Sequence, residues 1–295
     1  MSKAQRAQVD AILRQPRPAP RNVEEMRAGF AAAQARNPVP DGIRTSEATL
    51  GDRRVLVVEP IGEQRPGTIL YFHGGAWILG APETALPLTG ALVARTGMRA
   101  MSVDYRRAPE NPYPAAVDDG VNAYHELLQS QDPARIALVG DSAGGSLAVT
   151  TALRAQESGL PAPAAVVAFS GAFDLTLSGE SMTTKAGLDP TFTREMLTPL
   201  TGMYCGGQDL RDPHLSPALS ADLTGFPSML LQAGTNEVLL DDSVRLAARA
   251  IAAGVDTVLD VTAEVPHVFQ AFAGILDEAA HALDRAALFL AQRLR

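Results

Sequence analysis

One serine sits between closely spaced glycines in Gly140-Asp141-Ser142-Ala143-Gly144, with an apolar β-like run before it (residues 135–139) and an alanine-rich helical run after it (residues 145–158). In that setting the pentapeptide reads as a nucleophile elbow, a strained strand-to-helix turn in which small flanking residues give substrate access to the hydroxyl. Without the strand and the helix the same residues would be an ordinary glycine loop. A second segment lies upstream, where the apolar run at residues 68–72 leads directly into His73-Gly74-Gly75-Ala76-Trp77. Acyl transfer needs N–H donors for the charge that develops on the carbonyl oxygen, and Gly74, Gly75 and Ala143 are the candidates for that oxyanion hole.

These two segments occur with Val103-Asp104-Tyr105-Arg106-Arg107-Ala108-Pro109-Glu110, Pro112-Tyr113-Pro114-Ala115-Ala116, Asp212-Pro213-His214-Leu215-Ser216-Pro217 and residues 237–242. Together, over residues 68–267, they resemble the hormone-sensitive-lipase-like esterases of the α/β-hydrolase superfamily. The resemblance implies a serine carboxylesterase acting on short acyl chains through an acyl-enzyme. Two residues depart from the family pattern: Ala76 stands where many members carry a third glycine, and Glu237 where most carry the triad aspartate.

Of the five histidines, His267 is the candidate base. It follows the last strand-like run and precedes the helical C-terminal region, the place where this fold presents its histidine after the serine and the acid. The resemblance gives His73 a structural role in the amide loop. His125 and His281 fall in helical patterns as surface or packing residues, and His214 fixes a turn beside Pro213. No two histidines are spaced like a zinc motif, so neither metal nor cofactor is expected. Glu237 occupies the loop position of the family's carboxylate; Asp241 and Asp242 are the alternatives, read otherwise as acidic residues at the start of the next helix. Asp141 is read as a structural hydrogen-bonding residue of the elbow. Trp77, Tyr105, Phe192 and Met196 are candidates for the substrate pocket, each with plain core packing as its alternative. A neutral His267 acting as base predicts an acid limb with an apparent pKa of roughly 6 to 7. Lactone, amide or carbamate hydrolysis would use the same residues. A binding protein without catalysis is a further alternative, disfavoured by the joint presence of Ser142, His267 and a carboxylate.

With 295 residues, 46% of them hydrophobic, the chain can bury one sizeable core. A net charge of −8 offers no basic footprint for nucleic acid or anionic membrane, which leaves small ester substrates, and a homodimer is possible. One cysteine, Cys205, fits a reducing compartment. The first residues lack a signal-peptide core and no run reaches membrane-spanning length, so a cytoplasmic protein is expected.

To position these groups, residues 2–36 should form two short helices around the proline-rich run 16–20, with Asn22 and Glu25 as a capping box. Residues 44–50 and 53–59 should form a hairpin around Gly51-Asp52. Strand-like runs at 68–72, 99–103, 135–139, 165–169, 228–233 and 257–261 then alternate with helical stretches such as 83–96 and 115–128. The expected architecture is an α/β-hydrolase fold with eight strands, mostly parallel, and helices on both faces. Residues 170–226 are too many for one crossover. They are either a long core helix or, as the resemblance favours, a helical cap at about 175–215. Residues 1–43 would be the N-terminal part of that cap and 44–295 the hydrolase core.

Overall fold

The apolar run Thr68–Phe72 forms β3, and every residue of it is buried because a helical layer covers each face. Ile69 and Tyr71 enter one hydrophobic cluster while Leu70 and Phe72 enter another, the period-two alternation of a strand sending neighbours to opposite layers. The computed structural model describes residues 3–16 and 19–294. The expected helix start at Ser2 and the middle of the proline-rich run, Arg17 and Pro18, lie outside the described residues.

The other strands are β1 (Ile43–Leu50), β2 (Arg53–Pro60), β4 (Arg99–Val103), β5 (Ile136–Asp141), β6 (Ala165–Phe169), β7 (Ser228–Gly234) and β8 (Thr257–Thr262). They form one eight-stranded sheet in the order β1-β2-β4-β3-β5-β6-β7-β8. The β1–β2 hairpin and the β2–β4 pair are antiparallel and every other pair is parallel. The helices are α1 (Lys3–Leu13), α2 (Val23–Gln34), α3 (Leu86–Thr96), α4 (Ala115–Leu128), α5 (Ala143–Glu157), α6 (Ser181–Thr184), α7 (Arg194–Cys205), α8 (Pro217–Ser220), α9 (Leu240–Ala252) and α10 (Asp277–Arg293). Leu88 and Leu92 of α3 pack with Leu283 and Leu290 of α10 on one face; Tyr124 of α4, Leu147 of α5 and Leu246 of α9 join the cluster on the other.

Local chemistry explains where the elements depart from the sequence reading. β5 starts one residue late because Asp132 caps a short 3-10 turn over Pro133–Arg135, and it runs on to Asp141 because pairing with β6 continues to Phe169. Only half of the capping box forms at α2. Asn22 accepts the Glu25 N–H at 2.8 Å, but the Glu25 carboxylate takes the N–H and guanidinium of Arg21 instead of reaching back to Asn22. Residues 170–226 contain three short helices, not one long crossover helix. In α7, Leu197, Leu200 and Tyr204 join the core cluster.

Space at the β5–α5 turn is set by backbone. A Cβ on Gly144 would stand 1.9 Å from the Phe72 carbonyl oxygen, and one on Gly140 would stand 2.2 Å from the Gly144 carbonyl oxygen. Neither neighbour is a side chain that can swing away. Gly144→Ala should therefore lower stability by about 3 kcal/mol or more. Gly202, inside α7 with nothing within 4 Å of an added Cβ, should gain up to about 1 kcal/mol as alanine. Denaturant unfolding of the two variants checks both signs.

Candidate active site

β5 delivers Ser142 into the turn with φ of 52° and ψ of −121°, a left-handed backbone for a residue that carries a side chain. Such a conformation costs on the order of 1–3 kcal/mol and persists only where neighbours hold it. The Ser142 N–H donates to the Phe169 carbonyl at 2.8 Å, and the Ser146 N–H donates to the Ser142 carbonyl at 3.2 Å. The loop after β8 brings in His267. Ser142 Oγ lies 2.9 Å from His267 Nε2, and Nδ1 lies 2.7 Å from Glu237 Oε2. A carboxylate cannot donate, so Nδ1 carries the proton and Nε2 accepts from the serine hydroxyl.

Glu237 is fully buried and His267 is 7% exposed. The second Glu237 oxygen accepts the Gly234 N–H at 2.6 Å and the Ser170 hydroxyl at 3.0 Å. Ser170 Oγ also accepts the Val268 N–H at 3.0 Å, so this one hydroxyl ties the acid to the residue after His267. Nothing in the residue's type singles out Ser170 in the sequence; the available signal is its place directly after β6, beside the strand that leads to Glu237. Burial pulls the His267 pKa down, but the hydrogen bond and charge of Glu237, with Asp189 and Asp141, outweigh it and the net direction is up. The acid limb is thereby moved to higher pH than an unperturbed histidine would give.

The amide loop corrects one assignment. Asp141 Oδ1 accepts the Tyr71 hydroxyl at 2.7 Å and the Gly74 N–H at 3.1 Å, so the Gly74 N–H is already spent. The N–H groups of Gly75, Ala76 and Ala143 have no partner among the described residues. Gly75 (φ 122°) is required, since a Cβ there would meet the Leu79 carbonyl oxygen at 2.5 Å. Ala76 adopts φ of 53°, the left-handed region that explains why glycine suits this position. His73 is buried beneath the loop; Nδ1–H donates to the Gly74 carbonyl at 2.8 Å, and burial lowers its pKa to about 4.

The four pocket candidates stand in different surroundings. Tyr105 is 1% exposed, stacks on His73 and donates its hydroxyl to the His73 carbonyl at 2.8 Å, so it supports the amide loop from below. Trp77 is buried in a stack with Tyr204, at 4.2 Å between centroids. Met196 faces solvent, half exposed, because it falls on the outer side of α7. Phe192 alone meets a site side chain, edge-on to His267 at 4.9 Å. Asp241 and Asp242 do stand in the first turn of α9, but each is engaged by the segment after β6. Asp241 accepts the Ser181 N–H, while buried Asp242 accepts the N–H groups of Phe173 and Asp174. His125 and His281 are exposed, and His214 bridges Asp212 and Glu157.

Both N-terminal helices fasten the site. From α2, Arg27 donates to the Ile78 and Ala108 carbonyls and pairs with Glu110, bracing the amide loop. Val9 of α1 packs with Val265 and Phe269 on either side of His267, and Arg6 pairs with Glu264 and Glu278. Arg14 donates to the Gly187 and Leu188 carbonyls. Surface depressions of about 400 Å³ beside α8 and α9 and about 230 Å³ around Thr68, Arg99 and Arg135 include none of Ser142, Glu237 or His267 in their walls. Among the described residues no cluster of three or more His, Cys, Asp or Glu could hold a metal, and no helix is long and apolar enough to cross a membrane.

Residues 69–271 match the sequence profile of a family described as having the alpha/beta hydrolase fold. An acetyl-hydrolase of Streptomyces hygroscopicus is 40% identical over 224 residues, which is 76% of this chain and 75% of that protein. An esterase of Acinetobacter venetianus is 37% identical over 230 residues, 76% of this chain and 75% of its own. Among solved structures, an esterase from the bacterial hormone-sensitive lipase family superposes with a TM-score of 0.95 at 36% identity, covering 100% of both chains.

An imidazole so placed should titrate above the ordinary histidine value of about 6.5. Replacing Glu237 by Gln removes the opposing charge and leaves the burial, so its midpoint should fall below that of the wild type. NMR titration of His267 in both proteins reads the sign directly.

Proposed function

The chain belongs to the bacterial hormone-sensitive-lipase family of α/β-hydrolase-fold esterases, and on that premise we propose that it hydrolyses short-chain carboxylic esters through an acyl-enzyme formed on Ser142. The observation that carries this reading is the unbroken hydrogen-bond line from Ser142 Oγ through His267 to buried Glu237. As Oγ bonds to the ester carbonyl carbon, its proton passes to Nε2, and Glu237 stabilises the imidazolium while holding the tautomer. The imidazolium then protonates the departing alkoxide. Water enters, gives its proton to Nε2, and attacks the acyl carbon; the serine leaves with that proton. Gly75 and Ala143 are the oxyanion donors in this reading, supported by their unspent N–H groups, and Ala76 is a third donor of the same kind. One such donor contributes roughly 3 kcal/mol to the transition state.

The N-terminal residues 1–43 and the insertion at about 175–215 form the cap in this reading. Support comes from Phe192 against His267 and from the Arg14 and Arg27 contacts. A small acyl pocket is favoured by the near-complete burial of His267 and by the similarity to a protein named for acetyl hydrolysis. A homodimer is supported by Val258 and Val261, 42% and 40% exposed on the outer strand β8; a cytoplasmic location is supported by the single cysteine.

Ser142→Ala should fold normally and lose about three orders of magnitude or more in kcat on a p-nitrophenyl acetate assay. Wild-type enzyme should release a burst of nitrophenol when deacylation is the slower step; rapid turnover by the alanine variant would sink the assignment. Deleting residues 1–36 should lower kcat as well as change the ranking of C2 to C8 esters, since α1 and α2 brace both the histidine loop and the amide loop. A truncated protein with the full wild-type profile would remove these helices from the cap.

A further inference from the structure

Asp189 lies outside the Ser142–His267–Glu237 line, yet its side chain joins two segments that converge on it. The residue is 5% exposed. Oδ2 accepts the N–H of Val238, the peptide directly after Glu237, at 2.8 Å. Oδ1 accepts the N–H groups of Thr191 at 2.7 Å and Phe192 at 3.0 Å. These three donors satisfy the carboxylate where water does not reach it. The ring of Phe192 then stands edge-on to His267, with centroids 4.9 Å apart and planes at 75°. Just before Asp189, the Gly187 and Leu188 carbonyls accept from the guanidinium of Arg14, in the turn after α1, so the residue sits in a segment anchored from the N-terminal side as well.

We propose that Asp189 is a positioning residue for the esterase reaction, fixing the Glu237–Val238 peptide and the Phe192 ring relative to each other so that the His267 imidazole is held between them. The inference rests on the roles proposed above for Glu237 and His267. Glu237 fixes the imidazole from its Nδ1 side, and Phe192 closes on the ring from another side. Among the described residues, Asp189 is the one side chain that hydrogen-bonds to the backbone of both supports. Its two oxygens divide the task, so an amide at this position can serve one segment but must turn an NH2 group toward donors of the other. A misplacement of about 1 Å at a reacting group costs on the order of 100-fold in rate. The carboxylates whose charge reaches the imidazole are Glu237 after β7, Asp141 at the end of β5, and Asp189 before α7. Removing the charge of Asp189 should therefore ease deprotonation of His267, whereas removing the Phe192 ring should admit water and favour the protonated form.

The test compares full-length wild type, Asp189→Asn, Phe192→Ala and Glu237→Gln by kcat, KM, the pH profile of kcat/KM on p-nitrophenyl acetate, and thermal unfolding. Asp189→Asn should lose about 10-fold to 100-fold in kcat with KM within about threefold, and its acid limb should move to lower pH. Phe192→Ala should also lose kcat, with its acid limb moved to higher pH. A folded Asp189→Asn with wild-type kcat and acid limb overturns the inference, whatever its melting temperature. If Asp189→Asn yields no folded protein, Phe192→Ala decides: reduced kcat with a raised limb supports the inference, and wild-type values for both overturn it. Glu237→Gln separates the two levels. Full activity there brings down the underlying assignment and this inference with it, whereas an impaired Glu237→Gln beside wild-type behaviour of the other two variants removes only the role of Asp189.

Discussion

Backbone presses on backbone where β5 turns into α5. The glycine pair 140 and 144 lets the turn close against the ends of β3, with the Phe72 and His73 carbonyls occupying the space that a Cβ at Gly144 would need. That contact sets the distance between two loops which share no chain continuity, the elbow and the amide loop. Asp141 then pins their relative height, because it belongs to β5 and accepts the Gly74 N–H. The unspent N–H groups of Gly75 and Ala143 and the hydroxyl of Ser142 consequently stand on elements whose separation is fixed by main-chain atoms. A site assembled this way requires little reorganisation when charge develops on a bound carbonyl.

The same region carries several buried carboxyl groups, and their partners are mostly peptides. Glu237 takes the Gly234 N–H, Asp189 takes three N–H groups, Asp141 takes the Gly74 N–H, and Asp242 takes those of Phe173 and Asp174. Peptide donors satisfy a carboxylate without cancelling its charge, unlike the Arg245 guanidinium that pairs with Asp174 farther out. Burial correspondingly raises the pKa of Asp141 and of Asp242. The charges of Glu237, Asp189 and Asp141 reach His267, where they offset the desolvation of the ring and favour an imidazolium formed in the reaction.

What could be read from the sequence was whatever local pattern dictates. The eight strands follow from short apolar runs between helical stretches, and the elbow follows from a serine and glycines at fixed spacing between a strand and a helix. His267 and Glu237 became legible only as positions in a fold, through resemblance, since neither has a local signature. Other features depend on pairs far apart in the chain. Gly74 reads as a free donor until Asp141, 67 residues away, is seen to take its N–H. Ser170 is unremarkable until Glu237 arrives, also 67 residues on. Tyr105 and Met196 show the limit of residue type as a guide: an aromatic ring near the nucleophile turns under the amide loop, and a methionine in the insertion turns outward because one helical position decides its face.

The fastening of the site by α1 and α2 has a consequence for the order in which the chain acquires function during synthesis. α1 is synthesised long before the surface it docks on: Gln5 meets Asp277, a separation of 272 residues, and Val9 packs among Val265, Phe269 and Ala282. The strands that frame Ser142, through Phe169, precede in the chain the surface on which α1 docks. The histidine loop and the helix that braces it meet through contacts whose closure entropy is paid over as many as 272 residues. The hydroxyl therefore precedes its base by 125 residues, so a chain that stops short of His267 holds a serine without its base.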